Sequence, residues 1–238
     1  MSVNLAAANI RAVLLDIEGT TTPVEFVYDV LFPFARAHAA EYLERERNSE
    51  SCQAAVGLLR EERSADVARG ETPPEPVAAY AVWLMDRDRK SRGLKALQGL
   101  MWQEGYRRGE LRGQVFPDVP PALERWTNRG LGVYIYSSGS VLAQQLLFST
   151  TDAGDLTRFC RGHFDTAVGP KASPESYRLI TSRIGVAPAQ VLFVSDVVAE
   201  LDAARETGLR TALCVRSSGS SLPASSHPLI RAFDEIVD

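Results

Sequence analysis

Two carboxylates, Asp16 and Glu18, follow a short apolar run near the start of the chain. The run, AVLL at 12–15, is typical of a buried central strand of a parallel sheet, and we predict a strand over residues 11–18. With one residue between them, both acidic side chains leave the strand on the same side. Ligands bind at the carboxyl ends of strands in open α/β sheets, so this position favours chemistry. By itself, the pair fits solvated acids in a surface loop equally well.

Two more loops offer groups that suit a phosphate. The predicted strand GVYIY is followed by Ser137 and Ser138, and then by a predicted helix. Backbone N–H groups and the dipole at a helix N-terminus favour an anion, although the same serines would also serve as a plain helix cap. Lys171, in Gly-Pro-Lys before a predicted helix near Ser173, would place a point charge near a phosphate or a carboxylate. The alternative for this lysine is a solvated surface charge.

A fourth loop carries an acid that could join Asp16 in binding a metal ion. Asp196 ends the predicted strand VLFVSD, and Glu200 and Asp202 follow shortly after it. Magnesium takes oxygen ligands and usually only one or two carboxylates, so Asp16 and Asp196 could hold it together. Each of the four loops is a weak signal alone. Their order along the chain, an acid pair, serines, a lysine and an acid, is a specific one.

The elements that must position these loops fall into two classes. Between about residues 24 and 112 the pattern is helical, with four predicted helices, a proline break at Pro33 and a turn at GETPPEP. After Phe116 strands and helices alternate, which is typical of βαβ units. We therefore predict a doubly wound α/β core over 1–22 and 114–238, with a helical insertion over 23–113. In the alternating part, HFDTAVG is predicted as a short strand, TALCVR as the last strand, and the polar tail after it as loop.

Composition excludes several function classes. The 238 residues carry a net charge of −4, with 45% hydrophobic and 24% charged residues, so we expect no nucleic-acid partner. No apolar run reaches the roughly 18 residues of a membrane span, and the N-terminus does not resemble a signal peptide, so we expect a cytoplasmic protein without a membrane partner. Three scattered cysteines and three scattered histidines show no metal-binding spacing, and we expect them to be packing residues.

The motifs DIEGTT, YSSGS, GPK and FVSD, in this order, resemble those of the haloacid dehalogenase-like phosphohydrolases. A glutamate in the first motif, where most phosphatases of the superfamily carry a second aspartate, is similar to the enolase-phosphatase (acireductone synthase) family of methionine salvage. The stretches YIYSSGSVLAQQLLF, FDTAVGPKASPESY and VLFVSDVVAELDAA also resemble that family, so the resemblance covers nearly the whole chain. The helical insertion is similar to the family's cap.

The resemblance implies a role for each acid at the strand ends. Asp16 would be the nucleophile that takes the phosphoryl group as an aspartyl phosphate. Glu18 would be the general acid and base, first protonating the leaving oxygen and then activating water. Asp196 would complete a Mg²⁺ site with Asp16 and the backbone carbonyl of Glu18.

The same resemblance assigns the other loops to the phosphate. Ser137 and Ser138 would bind it, and Lys171 would stabilise its charge together with the nucleophile. Glu200 would be an outer metal ligand or a hydrogen-bond partner, and whether Glu200 or Asp202 joins the metal shell stays open.

The implied substrate is small and phosphorylated: 2,3-diketo-5-methylthiopentyl-1-phosphate, enolised and then dephosphorylated to an acireductone by a protein that we expect to be a monomer. The nearest alternative is a phosphatase of the same superfamily that acts on another small metabolite. A signalling receiver domain also carries strand-end acids, a hydroxyl and a lysine, but it is much shorter and has no helical insertion. A catalytically idle homologue fits least, because every chemical position is filled.

Overall fold

The computed structural model describes residues 3–216 and 225–237. These residues fall into two compact units, one within Met1–Val24 and Gly113–Asp238, the other formed by Glu25–Arg112. The strands are β1 Val3–Asn4, β2 Ala12–Leu15, β3 Gly132–Tyr136, β4 Cys160–Phe164, β5 Val191–Ser195, β6 Arg210–Cys214, β7 Leu229–Ile230 and β8 Ile236–Val237. The α-helices are α1 Phe32–Arg45, α2 Glu50–Ala68, α3 Val77–Met85, α4 Arg92–Arg107, α5 Val119–Asn128, α6 Val141–Ser149, α7 Pro174–Ile184 and α8 Val198–Glu206.

The first unit is built on a six-stranded sheet whose order is β4-β3-β2-β5-β6-β7. Every strand pair in it is parallel, so all six carboxyl ends lie at one edge. The first strand of this sheet in the chain, β2, lies in its middle, with later strands added on both sides, which is the topology of a doubly wound fold. Every residue of β2 and β5 is buried, as expected for strands covered on both faces. The predicted fold class is confirmed.

Several features of this unit differ from the prediction. The strand predicted over 11–18 covers only Ala12–Leu15, because the chain turns at Ile17, whose carbonyl accepts the amides of residues 20–22. The strand predicted over 163–169 lies earlier, at β4, because the Asp165 carboxylate accepts the amide of Ala167 and closes a 3-10 turn over Thr166–Val168. The tail predicted as loop contributes β7, an edge strand whose Ile230 is fully buried; residues 217–224 of that tail lie outside the described part. β1 and β8, both missed, form a separate parallel pair.

The second unit contains α1 to α4, preceded by a π-helical turn over Phe26–Leu31. The predicted break at Pro33 is wrong, because the chain stays helical through this residue. Proline cannot donate a backbone hydrogen bond, and it is tolerated in the first turn of a helix. The preceding turn is π-helical, with the amide of Phe32 donating to the carbonyl of Val27, and this wider geometry leads into the proline. None of the described helices is long and apolar enough to cross a membrane.

Candidate active site

The sheet edge where β2, β3 and β5 end carries the predicted site residues. Asp16 lies just past Leu15 of β2, Ser137 directly follows β3, and Asp196 directly follows β5. The loop after β4 leads to Lys171, which reaches back to this edge. These strands are parallel neighbours in the order β4-β3-β2-β5, so their loops converge although they are far apart in the chain.

Asp16 is fixed by its own backbone and by the strand beside it. Its amide donates to the carbonyl of Val194 at 3.0 Å, which extends the β2–β5 ladder by one residue. Its carboxylate Oδ1 accepts the amide of Ile17 at 2.7 Å, and its carbonyl accepts the Thr21 hydroxyl at 3.0 Å. The side chain is 6% exposed. A carboxylate held by several hydrogen bonds in a buried position needs little rearrangement before it reacts.

Lys171 lies between two carboxylates. Its Nζ is 2.6 Å from Asp16 Oδ1 and 2.6 Å from Glu200 Oε2. The Ser195 hydroxyl is within reach of the same two acids, 3.2 Å from Asp16 Oδ2 and 3.0 Å from Glu200 Oε2. Burial opposes the charged lysine, but the negative charges of Asp16 and Glu200 outweigh it and raise the pKa of Lys171. The lysine is therefore a buried, fully charged ammonium directed at the candidate nucleophile.

Glu18 lies in a tight loop that follows Asp16. The carbonyl of Ile17 accepts the amides of all three residues 20–22, at 3.2, 2.9 and 2.9 Å. Gly19 has a φ of +71°, and a Cβ placed there would lie 2.3 Å from Asp196 Oδ2. Only glycine combines this conformation with such a close approach, so the loop that carries Glu18 lies directly against Asp196.

Asp16 and Asp196 offer the oxygen donors that a hard cation needs. Burial, and after it the negative charge of Asp16, raises the pKa of Asp196 to about 7. Two carboxylates that repel each other in a buried place are stabilised by a cation. Among the described residues, no three His, Cys, Asp or Glu side chains gather as a metal site. The two carboxylates of Asp16 and Asp196 could therefore supply oxygen ligands, which suit Mg²⁺ with its retained waters better than zinc.

The serine turn after β3 is tied to the end of β4. Ser137 is 3% exposed, and its hydroxyl accepts the amide of Gly139 at 3.2 Å. The Gln144 side chain donates to the carbonyls of Gly139 and Phe164, at 3.1 and 2.8 Å. Ser138 is exposed. The turn is held in place at the N-terminus of α6, where an anion is favoured.

Sequence reasoning missed several groups that hold the site residues. Tyr136 donates its hydroxyl to the carbonyl of Gly169 at 2.9 Å, and Tyr177 donates to the carbonyl of Lys171 at 2.7 Å. Together they hold the loop that presents the lysine. Ser195 is the hydroxyl in the otherwise apolar strand β5, and this exception to the pattern is the signal that could have identified it.

Comparison with known proteins gives one consistent result. Residues 10–208 match the family of haloacid dehalogenase-like hydrolases. The chain is 48% identical over 234 residues to enolase-phosphatase E1 of Synechococcus elongatus, covering 96% of this chain and 98% of that protein. It is 47% identical over 227 residues to enolase-phosphatase E1 of Citrobacter koseri, covering 95% and 96% of the two chains.

A solved structure agrees in fold. The crystal structure of the UTR4 protein of Saccharomyces cerevisiae is similar with a TM-score of 0.77 and 30% identity, covering 94% of this chain and 99% of that one. Both the family match and the relatives span most of the chain. The chain therefore belongs to the haloacid dehalogenase-like hydrolases and, among them, to the enolase-phosphatase E1 family.

Proposed function

We propose that this chain is a Mg²⁺-dependent, bifunctional enolase-phosphatase of methionine salvage. It enolises 2,3-diketo-5-methylthiopentyl-1-phosphate and then hydrolyses the ester to 1,2-dihydroxy-3-keto-5-methylthiopentene and phosphate. Membership in the E1 family supports the reaction. The observation that carries the site assignment is the contact of Lys171 Nζ with Asp16, 2.6 Å long, at the sheet edge where Asp196 also lies.

Asp16 is the proposed nucleophile. One of its carboxylate oxygens attacks phosphorus, the bond to the ester oxygen breaks, and the phosphoryl group stays on Asp16 as an acyl phosphate. Glu18 gives its proton to the departing oxygen. In the second step Glu18 takes a proton from water, the water oxygen attacks phosphorus, and the bond to Asp16 breaks. Phosphate leaves, and both carboxyl groups return to their initial state.

The remaining residues neutralise and orient the phosphate. Lys171, charged and buried, offsets the negative charge that gathers on the phosphoryl oxygens. Ser137, Ser138 and the amides of their turn bind those oxygens at the N-terminus of α6. Asp16, Asp196 and the backbone carbonyl of Glu18 would hold Mg²⁺, which when bound supplies further positive charge for phosphoryl transfer.

Glu18 also has a proposed role in the enolase half. Enolisation removes a proton beside a carbonyl, and dephosphorylation needs a proton at the ester oxygen. Glutamate reaches one methylene further than the aspartate of most related phosphatases, so one carboxyl group can serve both positions. We further propose that the helical unit Glu25–Arg112, inserted shortly after Glu18, corresponds to the cap of this family.

Product analysis tests this function against the nearest alternative. The wild-type protein is incubated with the diketo phosphate and, separately, with a panel of sugar phosphates, and mass spectrometry identifies each product. We expect the acireductone and phosphate from the diketo substrate, with much slower release from the sugar phosphates. Rapid turnover of a sugar phosphate with none of the diketo compound would instead favour a phosphatase for another metabolite. The cytoplasmic location and the monomeric state stay predictions.

A further inference from the structure

Arg216 lies just past β6 and reaches the loop that carries Glu18. Only 10% of its side chain is exposed. Its Nε and Nη2 both donate to the carbonyl of Thr20, at 2.9 and 2.6 Å. The next carbonyl of the loop, that of Thr21, accepts the amide of Phe116 at 3.0 Å. The carbonyls of two successive loop residues are therefore fixed by Arg216 and Phe116, which are far apart in the chain.

The guanidinium is itself held on three sides. Its Nη1 is 2.7 Å from Asp118 Oδ2, an oxygen that also accepts the amide of Phe233 at 2.6 Å. Its Cζ lies 4.2 Å from the ring centroid of Phe116 and 4.8 Å from that of Phe233. A planar group in contact with two aromatic rings, with an ion pair at one end, has little freedom to move.

We infer that Arg216 is a positioning residue that fixes Glu18 for proton transfer. Glu18 lies two residues before Thr20, and the loop between them is closed internally by the carbonyl of Ile17. The loop therefore moves as one piece, and the anchor at Thr20 sets its place relative to Asp16. A shift of about 1 Å in a reacting group can lower the rate roughly 100-fold. Loss of the hydrogen bonds from Arg216 to Thr20 should therefore slow the reaction, although every reacting group is still present. This inference rests on the proposed role of Glu18 as acid and base.

Lysine cannot replace this arginine. One ammonium can meet a carbonyl or a carboxylate, but it cannot place two donors on Thr20 and a third on Asp118 while also contacting two aromatic rings. The conservative variant Arg216→Lys keeps the charge and releases the loop.

Arg63 offers a matched control in the helical unit. Its Nε and Nη2 donate to the backbone carbonyls of Pro74 and Pro73, at 2.7 and 3.4 Å. Arg63→Lys thus also removes an arginine from two backbone carbonyls, but not from the Glu18 loop. Asp118→Asn weakens the ion pair that holds Arg216 and leaves Arg216 itself in place. It is the second test variant if Arg216→Lys does not fold.

Two readouts separate positioning from a general loss of structure. In hydrogen exchange followed by mass spectrometry, the segment 17–22 should exchange at least about tenfold faster in Arg216→Lys than in wild type. In Arg63→Lys the exchange of this segment should be unchanged. In turnover of the diketo phosphate, Arg216→Lys should lower kcat at least about tenfold and leave KM within about twofold. Unchanged exchange of this segment overturns the inference, as does normal kcat despite faster exchange.

A double-mutant cycle with Glu18→Gln decides whether Arg216 acts through Glu18. If it does, Arg216→Lys in the Glu18→Gln background should lower turnover by less than about twofold. A loss of turnover as large as in the wild-type background would mean that Arg216 does not act through Glu18, and it overturns the inference. Wild-type turnover by Glu18→Gln alone would instead contradict the proposed function of Glu18, so the two failures are distinguishable.

Discussion

Replacing Lys171 by methionine should destabilise the protein as well as stop catalysis. The side chains of Lys171, Asp16 and Glu200 are 10%, 6% and 13% exposed, and the ammonium is 2.6 Å from each acid. Methionine fills similar space without the charge. The variant therefore leaves two buried carboxylates together, and the Ser195 hydroxyl, which reaches both, can donate to one at a time.

The size of the destabilisation follows from the burial of these charged groups. Removing one partner of a buried ion pair costs about 3–5 kcal/mol, because the remaining charge has no compensation. For a chain of this size, that corresponds to a fall in Tm of roughly 6–20 °C. Since the pKa of Lys171 is raised above its ordinary value of 10.5, the ammonium stays charged up to at least that pH. The difference from wild type should thus persist through neutral and mildly alkaline pH, and shrink as the pH rises through the raised pKa.

Urea denaturation of both proteins in the presence of a chelator measures this difference. The control is Arg178→Met on α7, which breaks a 3.0 Å ion pair with Glu175 whose side chains are 53% and 77% exposed. Exposed pairs contribute about 1 kcal/mol or less, so the control should stay close to wild type. A Lys171→Met protein as stable as the control would refute the claim that Lys171 compensates two buried carboxylates.

Three further predictions concern the first motif and the metal. Asp16→Asn keeps the shape but not the nucleophile, so phosphate release should fall by roughly 1,000-fold or more with an unchanged circular dichroism spectrum. Gly19→Ala would bring a Cβ to 2.3 Å from Asp196 Oδ2 at a positive φ, and turnover should fall at least about tenfold. The control Gly57→Ala meets nothing within 4 Å and should be fully active. Chelation should abolish phosphate release and Mg²⁺ should restore it; full turnover after exhaustive chelation contradicts the metal assignment.

Residues at strand ends could be predicted from sequence, because buried parallel strands are recognisable as continuous apolar runs. The runs AVLL and VLFVS lead directly into Asp16 and Asp196, so both acids are expected at the same sheet edge, where they lie. The same alternation of strands and helices predicted that Lys171, Ser137 and Ser138 lie in loops that follow strands. The helical periodicity of the block between residues 24 and 112 also predicted correctly that this block is helical.

Contacts between elements could not be read from the chain. Glu200 lies in the first turn of α8, and only the packing of that helix decides that it meets Lys171. Arg216 binds a backbone carbonyl, and a carbonyl has no signature in the sequence. The edge strand β7 is two residues long, too short for any periodicity.

The central claim is that one carboxyl group, that of Glu18, serves both enolisation and dephosphorylation. Glu18→Asp tests it most directly, because this change keeps the acid and withdraws it by one methylene. The measurement follows the ultraviolet absorbance of the enol and the release of free phosphate in parallel, with the diketo substrate and with a simple phosphate ester. We predict that the variant keeps part of its hydrolysis of the simple ester and loses most of its enolisation. Equal loss of both activities would contradict the special role of the longer side chain.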